Sequence, residues 1–146
     1  MKRFARREGM ATLLAITLAR PAAGARPALS DAIHAHAGER EIREGRVTLD
    51  IPPLVENGNT VPLSVTVDSP MTETDFVRSI AVFNERNPQP NVITVQIGPR
   101  AGRAQVATRI RLATSQRLVA VAEMSDGSLW SGSAEVIVTL AACVEG

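Results

Sequence analysis

From Arg46 onward the chain alternates apolar and polar positions with a period of two. In RVTLDI (46–51), Val47, Leu49 and Ile51 fall on one side, and in TVPLSVTV (60–67) Val61, Leu63, Val65 and Val67 do the same. VITVQI (92–97) presents Ile93, Val95 and Ile97, and AQVATRIRLA (104–113) presents Val106, Thr108, Ile110 and Leu112 with Arg109 and Arg111 on the opposite side. Three further runs, FVRSIAVF (76–83), QRLVAVAEM (116–124) and AEVIVTLA (134–141), have strand-forming composition. Successive side chains of a strand point to opposite faces, so this alternation predicts sheets with one buried face.

Between the runs stand Pro52 and Pro53, Asn57 and Gly58, Ser69 and Pro70, Asn87 and Pro88, Pro99 with Gly102, and Ser125-Asp126-Gly127. Each is a residue type that turns favour for a steric reason. About seven short strands at this spacing predict an all-β, immunoglobulin-like antiparallel sandwich over 46–141. The Cys–Trp–Cys core of antibody domains is missing from it. ALSDAIHAHAGEREIREG (28–45) is the one helical pattern: Leu29, Ala32, Ile33 and Ala37 share a face and Gly38 is a natural stop. The mature chain therefore reads as a short N-terminal helix or leader (26–45), the sandwich, and a flexible C-terminal arm (142–146).

The first 25 residues have a different purpose. MKRFARREG supplies Lys2, Arg3, Arg6 and Arg7, and MATLLAITLA (10–19) is an apolar run too short to span a bilayer. Ala23-Gly24-Ala25 offers a small-x-small cleavage site, so 1–25 is expected to be an export signal, twin-arginine-like at Arg6 and Arg7. The localisation expected is periplasmic.

Composition sharpens this picture at three points. The 146 residues suffice for one domain with a core. The aromatics are Phe4, Phe76, Phe83 and Trp130, so the core must be aliphatic. Trp130 is expected to plug the core or an interface. Loss of 1–25 turns a net charge of +1 into eleven basic against fourteen acidic residues, or −3. That gives no electrostatic footprint for nucleic acid or for an anionic membrane.

Candidate chemistry is sparse. His34 and His36 are two apart, which on a helix points them away from each other and against a joint metal site. They read as solvated or loosely packed. Asp50, Asp68, Asp75 and Asp126 fall at strand ends or turns, where carboxylates act as solvated caps. No phosphate-binding glycine loop and no nucleophile elbow is present. What remains is Cys143, the sequence's one cysteine, in the closing VTLAACVEG (138–146). Three residues beyond Leu140 reach ~10 Å when extended. The residues alone leave three readings open: an incidental thiol, an intermolecular disulfide through Cys143, or a covalent handle offered to another protein.

REGRVTLDIPPLVENGNTVPLSVTVDSPM (43–71), IAVFNERNPQPNVITVQIGP (80–99), RIRLATSQRLVAVAEMSDGSLW (109–130) and the closing VIVTLAAC (136–143) resemble the SoxY family of sulfur-oxidation carriers, as does the paired-arginine signal. The resemblance implies a periplasmic, non-catalytic carrier that holds sulfur intermediates of thiosulfate oxidation on a cysteine near the C-terminus. By position that cysteine is Cys143, on an arm made of Ala141, Ala142, Val144, Glu145 and Gly146. It implies no cofactor or metal beyond the covalently held sulfur. The implied partners are a SoxZ-like β-sandwich subunit, a c-type cytochrome that couples thiosulfate to the cysteine, a sulfate-releasing hydrolase and a sulfur dehydrogenase. The family tail is Gly-Gly-Cys-Gly-Gly, whereas this one is Ala-Ala-Cys-Val-Glu-Gly, which should make a stiffer and bulkier arm. Glu145 also adds negative charge beside the thiol.

Overall fold

The computed structural model describes residues 28–140. The export signal expected over 1–25 and the arm residues Ala141, Ala142, Cys143, Val144, Glu145 and Gly146 lie outside the described residues.

The chain runs α1 (Leu29–Ala37), β1 (Ile42–Glu44), β2 (Val47–Asp50), β3 (Leu54–Val55), β4 (Val61–Val67), β5 (Val77–Asn84), β6 (Asn91–Gln96), a 3-10 turn (Pro99–Ala101), β7 (Gln105–Ile110), β8 (Gln116–Met124) and β9 (Leu129–Val138). Two sheets form. The larger has the order β1-β9-β8-β5-β6, with β3 also on β9, and the smaller has the order β2-β4-β7. The all-β sandwich expected from the alternation is present.

Between the sheets, Val61, Leu63, Val65 and Val67 of β4 pack with Ile80 and Val82 of β5 and with Leu118, Ala120 and Ala122 of β8. The residues between them on β5 and β8 point the other way. Ala81, Phe83, Val119 and Val121, with Leu129 of β9, form a second core under α1, which supplies Leu29, Ala32, Ile33 and Ala37. The helical face read from the sequence is thus the one that is covered. β4 keeps the expected alternation of buried and open positions. By contrast, β5 and β8 are buried on both faces, because α1 roofs the outer side of the larger sheet. Each fully buried Leu, Val, Ile or Phe of these layers contributes about 1.5–3 kcal/mol.

Three further departures from the sequence reading have local causes. The helix is shorter than 28–45. It stops at Gly38, whose φ of 63° suits glycine, and residues 42–44 instead join the sheet as β1. Arg40 ties this end down, donating from Nε to the Ala37 carbonyl at 3.0 Å and pairing with Glu123 of β8 at 3.4 Å. The sheet is not purely antiparallel, since β1 and β3 both lie parallel to β9. The last strand starts at Leu129 rather than 134 and ends at Val138.

The chain passes from the larger sheet to the smaller at Gly45 and Arg46, with φ of 125° and 59°. This crossing lies over Trp130: the Arg46 and Arg43 guanidinium carbons stand 4.8 and 5.8 Å from its ring centroid. Next to it, β2 meets the backbone of β9. A Cβ on Gly132 would collide with the Val47 carbonyl, and only a hydrogen fits. At the neighbouring hairpin, the Asp126 carboxylate accepts from the Ser128 hydroxyl (2.6 Å) and amide (2.9 Å), which holds its pKa below the usual carboxylate value.

Gly132→Ala should therefore destabilise the protein by about 1–3 kcal/mol, as overpacking against fixed backbone does. Gly98→Ala, where an added Cβ meets nothing within 4 Å, should change stability by less than ~0.5 kcal/mol. Urea denaturation of the two variants measures the difference.

Candidate functional site: the root of the C-terminal arm

The one candidate attachment residue of the sequence, Cys143, follows β9, so the site is built from whatever fixes the end of that strand. Gln116 opposite Val136 is the last rung between β8 and β9. Beyond it both edges of β9 are held by other means.

On one edge stands β3. Pro53 and Pro52 lack amide hydrogens but keep their carbonyls, and the Ile137 amide donates to the Pro53 carbonyl at 2.9 Å. Leu54 lies beside Ile137 and Val55 beside Val138. The Thr139 amide donates to the Val55 carbonyl at 2.9 Å. On the other edge the Ser115 hydroxyl takes the place of a strand, accepting the Val138 amide at 2.8 Å.

The Asn57-Gly58-Asn59 turn completes the clamp. The Asn59 amide donates to Asn57 Oδ1 at 3.0 Å, closing a local Asx turn. The buried Gly58 then donates to the Leu140 carbonyl at 2.9 Å, and its own carbonyl accepts the Leu112 amide at 2.8 Å. Leu112 is completely buried in the inter-sheet core. A short relay of backbone bonds therefore runs from the core to the last described residue of the chain. The described chain is therefore anchored up to its last residue, Leu140.

The surface at this point is apolar. Leu54, Ile137 and Leu140 are 59, 60 and 63% exposed, and they are the exposed large hydrophobic residues among the described ones.

The other candidates are dispersed. His34 is exposed, whereas His36 is half-buried with its ring edge-on to Phe83 at 5.4 Å, so packing rather than solvation accounts for it. Among the described residues no three His, Cys, Asp or Glu side chains come together as a metal site would need. Trp130 packs against the inter-sheet core, as the sequence suggested. No helix among the described residues is long and apolar enough to cross a membrane. Sequence reasoning missed β3 and Ser115. The Leu-Val pair after two prolines is too short for a periodic signal, and a serine that caps a strand edge has none.

The family model of "Sulfur oxidation protein SoxY" matches residues 33–143, about three-quarters of the chain. The chain belongs to the SoxY family. Among solved structures it is similar to the sulfur carrier protein SoxY from Chlorobium limicola f thiosulfatophilum, with 32% identity and a TM-score of 0.65, covering 77% of this chain and 96% of that one. It also resembles a superoxide reductase (neelaredoxin) from Ignicoccus hospitalis, at 20% identity and a TM-score of 0.57 over 63% of this chain and 78% of that one. A putative superoxide reductase from Thermotoga maritima gives 22% identity and a TM-score of 0.54 over 70% and 89%. At these identities the likeness to the reductases shows the fold alone. No curated protein matches it.

If the Ser115 hydroxyl replaces a strand at Val138, Ser115→Ala should loosen the arm root without unfolding the domain. The loss of global stability should stay below about 1.5 kcal/mol, the upper range for one hydrogen bond. Hydrogen–deuterium exchange at the Val138 and Thr139 amides should accelerate severalfold, with β5 and β8 unchanged.

Proposed function

We propose that this chain is the sulfur carrier of a periplasmic thiosulfate-oxidising system and that Cys143 is the point of covalent attachment. The observation that carries the reading is the family match, which runs to residue 143, the single cysteine of the sequence. The anchored end of β9 supports it, because a handle is useful only if its base is fixed.

The chemistry asks little of the carrier. Loading joins the Cys143 sulfur to the outer sulfur of thiosulfate, giving Cys–S–SSO₃⁻ with release of one proton and two electrons. A c-type cytochrome, the oxidant class the family implies, accepts the electrons. Hydrolysis then cleaves the bond to the sulfonate sulfur: water supplies the oxygen of sulfate, two protons are released, and a persulfide anion stays on Cys143. A hydrolase performs that step, and a sulfur dehydrogenase oxidises the persulfide. The carrier itself supplies the thiol and the tether. A lone cysteine favours this use, since no second thiol in the chain is present to displace the adduct by disulfide exchange.

Export through the Arg6 and Arg7 signal, with cleavage after Ala25, would deliver the chain already folded. A SoxZ-like β-sandwich subunit is the proposed stable partner. Exposed sheet edges such as β6 and β7 are the kind of surface that such a subunit covers.

The tail favours a second reading within the same class. Alanine and valine restrict backbone angles that glycine leaves open, and Val144 adds bulk beside the sulfur. A diverged carrier, serving another sulfur species or another partner enzyme, accounts for that departure.

Intact-mass measurement on protein purified from its native periplasm should find sulfur adducts on Cys143. An unmodified thiol, or only a Cys143 disulfide homodimer, would overturn carriage and leave a structural β-sandwich subunit. Cys143→Ser should abolish every adduct and change stability by less than ~0.5 kcal/mol. Replacing Val144 and Glu145 with glycine should speed loading by the usual thiosulfate enzymes. No gain from the glycine tail would identify the arm as matched to a different enzyme.

A further inference from the structure

We propose that Asn57 is a self-modifying site: its side-chain amide is open to attack by the Gly58 backbone nitrogen, and the hydrogen bond from that nitrogen to Leu140 locks the reaction. The proposal is independent of what Cys143 carries.

Of the five asparagines, Asn57 alone precedes a glycine. Glycine has no Cβ to obstruct the approach of its own nitrogen to the preceding side chain. The reaction needs nothing but water. The Gly58 nitrogen gives up its proton and bonds to Cγ of Asn57, the Cγ–Nδ2 bond breaks, and the side-chain nitrogen leaves with that proton as ammonia. Water then opens the resulting five-membered imide at either carbonyl. Aspartate or isoaspartate is left at position 57, with no oxidation or reduction.

The fold treats the two reacting groups oppositely. The Asn59 amide donates to Asn57 Oδ1 at 3.0 Å, which draws charge from Cγ and would steady the oxyanion formed on attack, as such donors do in acyl transfer. Asn57 is also exposed, so water reaches it. The nucleophile is withheld. Gly58 is buried, and its N–H is donated to the Leu140 carbonyl at 2.9 Å, so the nitrogen keeps its proton while that bond lasts. Its carbonyl is tied as well, to the Leu112 amide at 2.8 Å.

The lock is as strong as the end of β9. Leu140 is kept in place by the Thr139 amide on the Val55 carbonyl and the Val138 amide on the Ser115 hydroxyl. Local opening of that end frees the Gly58 nitrogen to react. Isoaspartate then adds one bond of ~1.5 Å to the backbone between residues 57 and 58, so Gly58 cannot regain both of its ties. Asn57 thereby records each opening of the strand end and makes it permanent.

The test incubates the full chain at mildly alkaline pH, folded or unfolded in urea, and follows conversion of Asn57 by peptide mapping and mass spectrometry. Folded protein should react at least about tenfold more slowly than unfolded protein, the factor that one hydrogen bond can supply. Thr139→Pro removes the amide that donates to Val55. It should accelerate conversion in the folded state by about tenfold and leave the rate in urea unchanged. Ser115→Ala should act in the same direction, severalfold, and serves alone if Thr139→Pro cannot be obtained folded. Asn59, followed by threonine, should remain unconverted throughout.

Equal rates in folded and unfolded wild-type protein, or no conversion in either, overturn the proposal. So does a variant whose Gly58 amide exchanges faster with deuterium while Asn57 reacts no faster. Gly58 exchange unchanged in every folded variant overturns the assignment of the lock to the end of β9.

Discussion

At Gly132 the backbone of β2 lies directly against the backbone of β9, in space that any side chain would take from the Val47 carbonyl. This close approach organises the molecule. β2, the edge strand of the smaller sheet, crosses against β9, which has one parallel neighbour before the crossing and another after it, β1 at residues 129–131 and β3 at residues 137–138. With β8 on its other edge from Leu129 to Val136 and the Ser115 hydroxyl beyond, β9 is held from both sides at both ends. The strand that leads to Leu140 is therefore fixed at both its ends.

That constraint extends through the whole domain. The two-layer core and its helical roof make a stiff platform, and the Gly58 relay carries the stiffness to Leu140. Under the function proposed above, such a platform would present the same base to each enzyme visited. Backbone that is ordered before an encounter adds no ordering entropy to it, a cost of roughly 1–2 kcal/mol for each residue immobilised.

Much of this was legible beforehand, and the limits have physical reasons. The strands at 61–67 and 116–124 were readable because hydrophobic composition survives any packing partner. The face of α1 was readable from Leu29, Ala32, Ile33 and Ala37, and the stop from Gly38. β1 was not readable, since Ile42 to Glu44 continues a polar helical-looking pattern and becomes a strand only by pairing with Leu129 to Ser131. Nor was β3, two residues long, whose pairing depends on β9 already being in place. Cys143 stood out by uniqueness alone, whereas the apolar residues around its root are ordinary in sequence and become notable only because they remain exposed.

Trp130 carries a consequence of a different kind. It is the only tryptophan and the chain has no tyrosine, so near-ultraviolet absorption and emission come almost entirely from one indole. That indole lies under Arg43 and Arg46 at the point where the chain changes sheets, and its Nε1 is buried without a hydrogen-bond partner among the described residues. The protein thus contains its own optical probe, placed at the inter-sheet crossing. Its emission senses the parting of the two sheets, and stays blind to events at the far end of β9.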